Sequence, residues 1–351
     1  PAGSLWITHF DVVHAAGINL SDRVRHMIKF IYVQRSERTV PSWNCVDERW
    51  SNPDGLESPW DLEVAWSHTW DWMCGKRDRY ENFRLNHDAG SAGDITELAQ
   101  SLDPEGPVGE QLATIRQLAI LGPAAAEAVP ALMAMLNQDH QAARAGAVYA
   151  LGAIGEAAVS PLIERVKEAG EKGWGDEAPC WNEGTVTPMD EAHALASIGS
   201  PAVAPLIELA DAAGEWGRIN AIFALGEMDS QAAEAVPTLI RCLEDDSHRI
   251  VRTALDALGT IGGDAVSAVP RMSRFLTETR PEWEEVTTGR RRWIARDQVR
   301  VNVAEAISRL GSQAIAAEDA LIEALDDECG YVALYATDAL QHLGSPRGQR
   351  A

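Results

Sequence analysis

One short phrase recurs along the chain and constrains its fold more than any other feature. It runs Ala or a similar residue, apolar, two variable residues, apolar, and then usually Gly. It ends at Gly122 (QLAILG), Gly155 (ALGAIG), Gly199 (ALASIG), Asp229 (ALGEMD), Gly262 (ALGTIG), Gly311 (AISRLG) and Gly344 (ALQHLG). Recurrence at such an interval marks a stacked-repeat architecture. A second phrase, V-P-x-L-[IM] or V-x-P-L-I, follows most copies, with its valines at Val129, Val159, Val203, Val236 and Val269. The steps between them are 30, 44, 33 and 33 residues, and a weaker sixth copy centres on Leu321 and Ile322.

The local physics of each unit is a pair of helices. Val159, Leu162, Ile163 and Val166 stand at i, i+3, i+4 and i+7, which makes one apolar stripe on a helix. Val236, Leu239, Ile240 and Leu243 repeat the spacing, as do Val129, Leu132, Met133 and Leu136. Pro130, Pro161, Pro205, Pro237 and Pro270 fall where these second helices begin; proline is tolerated in a first turn because its missing N–H has no partner there. The glycines fit the left-handed residue that ends a first helix. Alanine-rich first helices can pack closely. One pair cannot bury its own stripe, so stacked neighbours must do it. Residues from about 105 to 344 therefore predict an α-solenoid. Arg144, Arg218, Arg252 and Arg300 each precede the Ala-Leu phrase by five or six residues and are expected to brace neighbouring repeats.

Charge and cysteine usage exclude several classes. The formal net charge of -23 argues against nucleic acid as a partner, since that affinity rests on clustered Lys and Arg. The run Arg290–Arg292 with Arg296 and Arg300 follows Glu282, Glu284 and Glu285 and is expected to pair with them locally. No continuous apolar run approaches the ~18 residues of a membrane helix, so no membrane partner is expected. Cys45, Cys74, Cys180, Cys242 and Cys329 are odd in number and lack CxxC spacing. That fits free thiols in a reducing cytoplasm, with Cys242 in the core.

The unit length and residue pattern resemble the HEAT family, in particular its bacterial subgroup related to phycobilisome lyases. The resemblance implies a surface that binds a protein partner. Two steps carry insertions. The 44-residue step holds extra residues in Gly170–Asp190, with Trp174, Cys180 and Trp181. The longer step from Met272 to Leu321 includes Trp283 and the Arg290–Trp293 run. Insertions in solenoids map to loops, often on the binding face. Trp174, Trp181, Trp283 and Trp293 are therefore expected either to anchor a partner or to fold back over neighbouring helices.

The first residues read differently. Leu5–Val13 and Arg25–Val33 are strand-like, and the loop between them holds Gly17, Asn19, Ser21 and Asp22. With His14, Arg25 eleven residues later, the strand MIKFIYVQR and Pro41-Ser42-Trp43-Asn44, this stretch resembles the C-terminal strands of the phytanoyl-CoA dioxygenase family. The resemblance implies a double-stranded β-helix, Fe(II) bound by His14, and 2-oxoglutarate held by Arg25 with help from Asn19 and Ser21. The family's H-x-D motif belongs well upstream. His9-Phe10-Asp11 spells it but shares a strand with His14 and cannot surround a metal. The chain is thus expected to be part of a longer enzyme. As it stands it would be inactive, with a small-molecule substrate only for the parent.

The expected organisation is mainly α. Residues 1–42 are a partial double-stranded β-helix. Residues 43–94 are a tryptophan-rich irregular segment and linker, with a short helix Asp61–Met73. Residues 95–351 are the solenoid. Three functions follow: a dioxygenase fused to a HEAT solenoid, a non-enzymatic HEAT scaffold for protein–protein interaction, and a bilin-lyase-like repeat protein.

Overall fold

In a computed structural model of the chain, the described residues are 39–41, 43–52, 58, 60–88, 93–172, 186–278, 280–284, 294–348 and 350. The chain divides into two units, Pro1–Arg35 and Ser36–Ala351. The expected iron and oxo-acid residues His14, Asn19, Ser21 and Arg25 lie outside the described residues. So do nearly all of the expected dioxygenase-like strands, and no strand is present among the described residues.

Among the described residues, three short helices precede the solenoid: α1 (Glu63–Met73), α2 (Glu81–Asn86) and α3 (Ile95–Ser101). The first helices of the repeats are α4 (Val108–Leu121), α6 (Gln141–Ile154), α8 (Asp190–Ile198), α10 (Glu215–Glu227), α12 (His248–Ile261), α14 (Ala295–Leu310) and α16 (Gly330–Leu343). The second helices are α5 (Val129–Met135), α7 (Val159–Glu171), α9 (Val203–Ala212), α11 (Val236–Cys242), α13 (Val269–Arg274) and α15 (Glu318–Glu323). Among the described residues, seven first helices and six second helices match the two sequence phrases.

The apolar stripes of the second helices are buried as their spacing demands. Leu132, Leu162, Leu206, Leu239 and Leu321 are fully enclosed, and Cys242 lies in the same core. The first helices form a tight layer because their facing residues are small. A methyl added at Gly226 would lie 3.0 Å from the Cα of Ala257, and one at Gly259 would lie 2.9 Å from the Cα of Ala306. Dispersion and burial are maximised when backbones approach this closely.

The left-handed end expected of the first helices is found at Gly344 of α16 (φ 67°, ψ 14°), whereas most of the others end differently. Gly155, Gly199 and Gly262 have φ near 80° with ψ between -133° and -139°. That region is open essentially to glycine alone. The chain then passes into a 3-10 turn, such as Gly122–Ala128 or Gly262–Ala268, before the second helix starts. Ala125, Ala128, Ala158, Ala202 and Ala235 in these turns are fully buried, which explains why the segment is alanine-rich rather than polar.

One helical run, Val108–Met135, is by length and composition alone apolar enough to cross a membrane. It is α4, a 3-10 turn and α5 in sequence, and Leu112, Ile115, Leu118, Leu132 and Met135 on it are already enclosed in the solenoid core.

The bracing arginines stand where the sequence puts them. Arg144 donates to Asp190 of the next unit at 3.0 Å and to the carbonyl of Gln138 at 2.6 Å. Arg218 reaches Asp245 at 2.6 Å and the Ala210 carbonyl at 2.9 Å. Arg300 reaches Asp327 at 2.5 Å. Arg252 departs from this, donating to the side-chain oxygens of Gln298 and of Asn302, the latter at 2.8 Å. Each arginine ties the first helix of one unit to the start of the next. The expected local pairing of the basic run holds for Arg296, which meets Glu284 at 2.8 Å. Arg300 instead serves as a brace.

Candidate functional site at the N-terminal cap

Helix α1 buries an unusual face. Val64, Ser67, His68 and Asp71 stand at i, i+3, i+4 and i+7 and are its buried residues. Three of the four are polar, whereas the repeat helices bury mostly Ala, Leu, Val and Ile. Its tryptophans pack with the preceding segment: Trp70 meets Trp43 at 5.5 Å and Trp50 at 5.8 Å, and Trp66 meets Trp50 at 6.2 Å. Such tilted and edge-on ring pairs are the favoured aromatic geometries. The tryptophans of this stretch thus pack on one another. The helix expected at Asp61–Met73 is α1, two residues shorter at its start.

The turn after α1 docks on the first-helix layer. The Tyr80 hydroxyl hydrogen-bonds Ser197 of α8, and Gly152 of α6 leaves the room that both side chains occupy. Arg79 meets Asp229 at 3.4 Å, and Arg77 donates to Ser230 at 3.3 Å. Asp229 fills the position that is glycine in the other copies of the phrase, and it takes φ +52°. A non-glycine residue there is costly by about 1–2 kcal/mol. The carboxylate offsets that by holding Arg79. The departure ALGEMD in the sequence is thus the anchor point of the cap.

Where α1 meets the solenoid a cavity of about 240 Å³ opens. His68 and Arg79 come from the cap, Tyr149 from α6, and Asp190, His193 and Ser197 from α8. Glu227 closes the far side at the end of α10. The His68 ring lies between Tyr80 at 5.0 Å and Tyr149 at 4.9 Å. Its Nδ1 is buried and has no hydrogen-bond partner, although buried polar atoms are nearly always satisfied. Burial, and to a lesser extent the Arg79 charge, pushes the His68 imidazole down to about 3, so it is neutral across the physiological range. Burial also lowers His193, against the nearby Asp190, and raises the Tyr149 hydroxyl.

A second groove of about 410 Å³ lies on the other side of Arg79 and Tyr80, with Arg77, Arg84 and Glu156 along it. Arg84 is taken up by Asp78 at 2.5 Å.

Family models match in four stretches. HEAT repeats match residues 203–286, a HEAT-like repeat matches 112–154, and the PBS lyase HEAT-like repeat matches 143–168 and 299–327. The chain carries HEAT-type repeats. No model of the phytanoyl-CoA dioxygenase family is among the matches. No curated protein matches the chain. Among solved structures, an engineered protein aligns at 19% identity over 72% of this chain and 69% of its own, with a TM-score of 0.36. A designed armadillo repeat protein aligns at 18% identity over 71% and 100%, with a TM-score of 0.34. A second such design, in complex with the peptide (KR)4, aligns at 17% identity over 71% and 99%, with a TM-score of 0.35.

Of the four tryptophans expected to anchor a partner, Trp174, Trp181 and Trp293 lie outside the described residues. Trp283 takes the fold-back alternative. It is 1% exposed, packs on Phe275 at 5.7 Å, lies under Arg280 at 4.4 Å and donates its indole N–H to the Asp246 carbonyl at 2.9 Å. It stitches the insertion to the preceding unit and offers no free ring face. Among the described residues, no group of three or more His, Cys, Asp or Glu can hold a metal ion.

The cavity residues escaped sequence reasoning because each is unremarkable alone. A usable signal exists: Tyr149 and His193 are large polar rings on repeat helices that bury mostly small or aliphatic residues, and His68 shares its buried face with Ser67 and Asp71.

Proposed function

We propose that the repeats form a protein-interaction scaffold for a partner with a basic segment. One observation carries this: among the described residues, most arginines of the solenoid pair with carboxylates of the chain itself. Arg144, Arg165, Arg218, Arg241, Arg271 and Arg300 each meet a carboxylate of an adjoining unit. The chain has 53 acidic residues against 30 basic ones. Cations paired inside the stack leave the acid excess to the surface, and a surface of one sign steers the opposite sign toward it. The test is capture on the immobilised chain followed by a salt series. A partner with a basic segment, held at 0.05 M salt and released well before 0.5 M, is expected. A stoichiometric partner that is acidic, or whose affinity ignores salt, refutes the reading.

A separate reading of the N-terminal stretch, an Fe(II) and 2-oxoglutarate oxygenase, rests on the His14 to Arg25 spacing. Its test is iron-dependent release of succinate from 2-oxoglutarate. Activity surviving His14→Ala would remove His14 as a ligand.

A further inference from the structure

We propose that Cys45 and Cys74 are a peroxide-responsive thiol pair, joined reversibly as a disulfide that fastens the segment before α1 to the end of that helix. The proposal does not depend on the scaffold reading above.

The packing of the cap brings the two thiols together. The Trp43 ring meets Trp70 at 5.5 Å, and Cys45 and Cys74 follow those two rings by two and four residues. Four residues are about one turn, so Cys74 stands on the same side of α1 as Trp70. The backbone of Thr39 and Val40 passes so near Gly75 that a methyl added there would overlap both. Farther along, Asn82 donates its side-chain amide to the Glu48 carbonyl and Asn86 donates to the Trp50 carbonyl. The segment is thus held against α1 and α2 on both sides of Cys45. The Cys45 thiol donates to the Asp47 carbonyl at 3.2 Å. Cys74 caps α1, with its backbone N–H on the Trp70 carbonyl at 2.9 Å. Both thiols are free in this structure.

The two sulfurs differ in a way that divides the chemistry between them. Cys74 is 4% exposed. Burial pushes its thiol up to about 11, and the adjoining Cys45 thiol and Glu48 add to the rise against Lys76. Cys74 is therefore protonated at neutral pH and slow toward a peroxide, because the thiolate is the nucleophile. Cys45 is half-buried and open to a small oxidant. Its sulfur attacks hydrogen peroxide: an S–O bond forms, the O–O bond breaks, and the departing oxygen leaves as water with the thiol proton. The Cys74 sulfur then attacks the sulfenic acid so formed. The S–S bond forms, the S–O bond breaks, and hydroxide leaves as a second water with the Cys74 proton. Two electrons pass from the two sulfurs to one peroxide. Cys242 is also buried, but Arg218 rather than a thiol lies beside it, so it has no such partner.

The test treats the folded full chain with a small molar excess of hydrogen peroxide, alkylates the remaining thiols and digests with trypsin. Mass spectrometry without reductant should find residues 39–49 linked to residues 50–76, and dithiothreitol should part them. Cys74→Ala should leave a Cys45 sulfenic acid that dimedone traps, whereas the natural chain should accumulate little of that adduct. The bond closes a loop of about 30 residues, so oxidation should raise the urea midpoint read by tryptophan fluorescence by about 1 M. Dithiothreitol should reverse the rise, and Cys45→Ser should abolish it. Absence of the link, links to Cys180, Cys242 or Cys329 formed as readily, or a midpoint that oxidation leaves unmoved would each overturn the proposal.

Discussion

Two buried titratable groups on α1 oppose each other, and the cap should reveal it when either is removed. His68 has an ordinary value of 6.5 and is held at about 3 in the folded protein by burial and then by Arg79. As pH falls below 6.5 the unfolded chain takes up a proton that the folded cap refuses, so stability is lost. At about 1.4 kcal/mol per unit, the loss reaches about 2 kcal/mol by pH 5. Asp71 runs the other way. Burial raises it from 3.8 to about 6, against the Asn82 N–H and Lys76, which favour the charged form, and with Glu81 and Asp78 adding to the rise. Its charged state destabilises the fold at neutral pH, and protonation below about 6 relieves about 1.4 kcal/mol by pH 5. In the natural chain the two nearly cancel. The assay is urea unfolding by tryptophan fluorescence, since Trp43, Trp50, Trp60, Trp66, Trp70 and Trp72 all lie in this segment. Between pH 7 and pH 5, His68→Gln should gain about 2 kcal/mol relative to the natural chain, and Asp71→Asn should lose about 1.4 kcal/mol. His248, which burial lowers to about 4, is common to all three proteins and drops out of the comparison. Profiles of both variants that run parallel to the natural one would refute the reasoning.

Three further outcomes can be checked on the solenoid. Gly259→Ala should lower the urea midpoint. The new methyl meets backbone of Ala306 at 2.9 Å, and overpacking at about 1–3 kcal/mol outweighs a helix-propensity gain of about 1 kcal/mol. Gly109→Ala, with nothing within 4 Å, should raise the midpoint instead. Asp327→Ala removes the partner of Arg300, whose side chain is 13% exposed; hydrogen exchange in α16 should speed by an amount worth about 3 kcal/mol. Asp229→Asn tolerates the positive φ but loses the ion pair to Arg79, so limited trypsin digestion should cut faster around Arg77 and Arg79 while α10–α12 protection is unchanged.

Much of this fold was legible because the relevant physics is local. The stripe Val159–Leu162–Val166 and the phrase ending in Gly155 are read within one or two turns of helix, and the braces Arg144, Arg218, Arg252 and Arg300 follow from their place in the repeat. The 3-10 turns were not legible. Segments such as Pro123–Glu127 carry no loop chemistry, and their alanines are selected by the space between helices. The cavity was hidden for a different reason. His68, Tyr149 and His193 come together only after the cap docks, and that docking depends on Tyr80 finding the gap at Gly152 and on Arg79 finding Asp229. Trp283 could be narrowed to two alternatives and no further, because its partner, the Asp246 carbonyl, lies in the preceding repeat.

The arginine braces have a mechanical consequence. Stretched end to end, a stack of this kind behaves as a row of joints, each with its own stiffness. At the α6–α8, α10–α12 and α14–α16 joints the brace ends on a carboxylate, whereas at α12–α14 Arg252 ends on the neutral side chains of Gln298 and Asn302. Salt weakens attraction between opposite charges more than it weakens a bond to an amide. In brine the braces that end on carboxylates would weaken, while the brace from Arg252 to Gln298 and Asn302 would keep its grip.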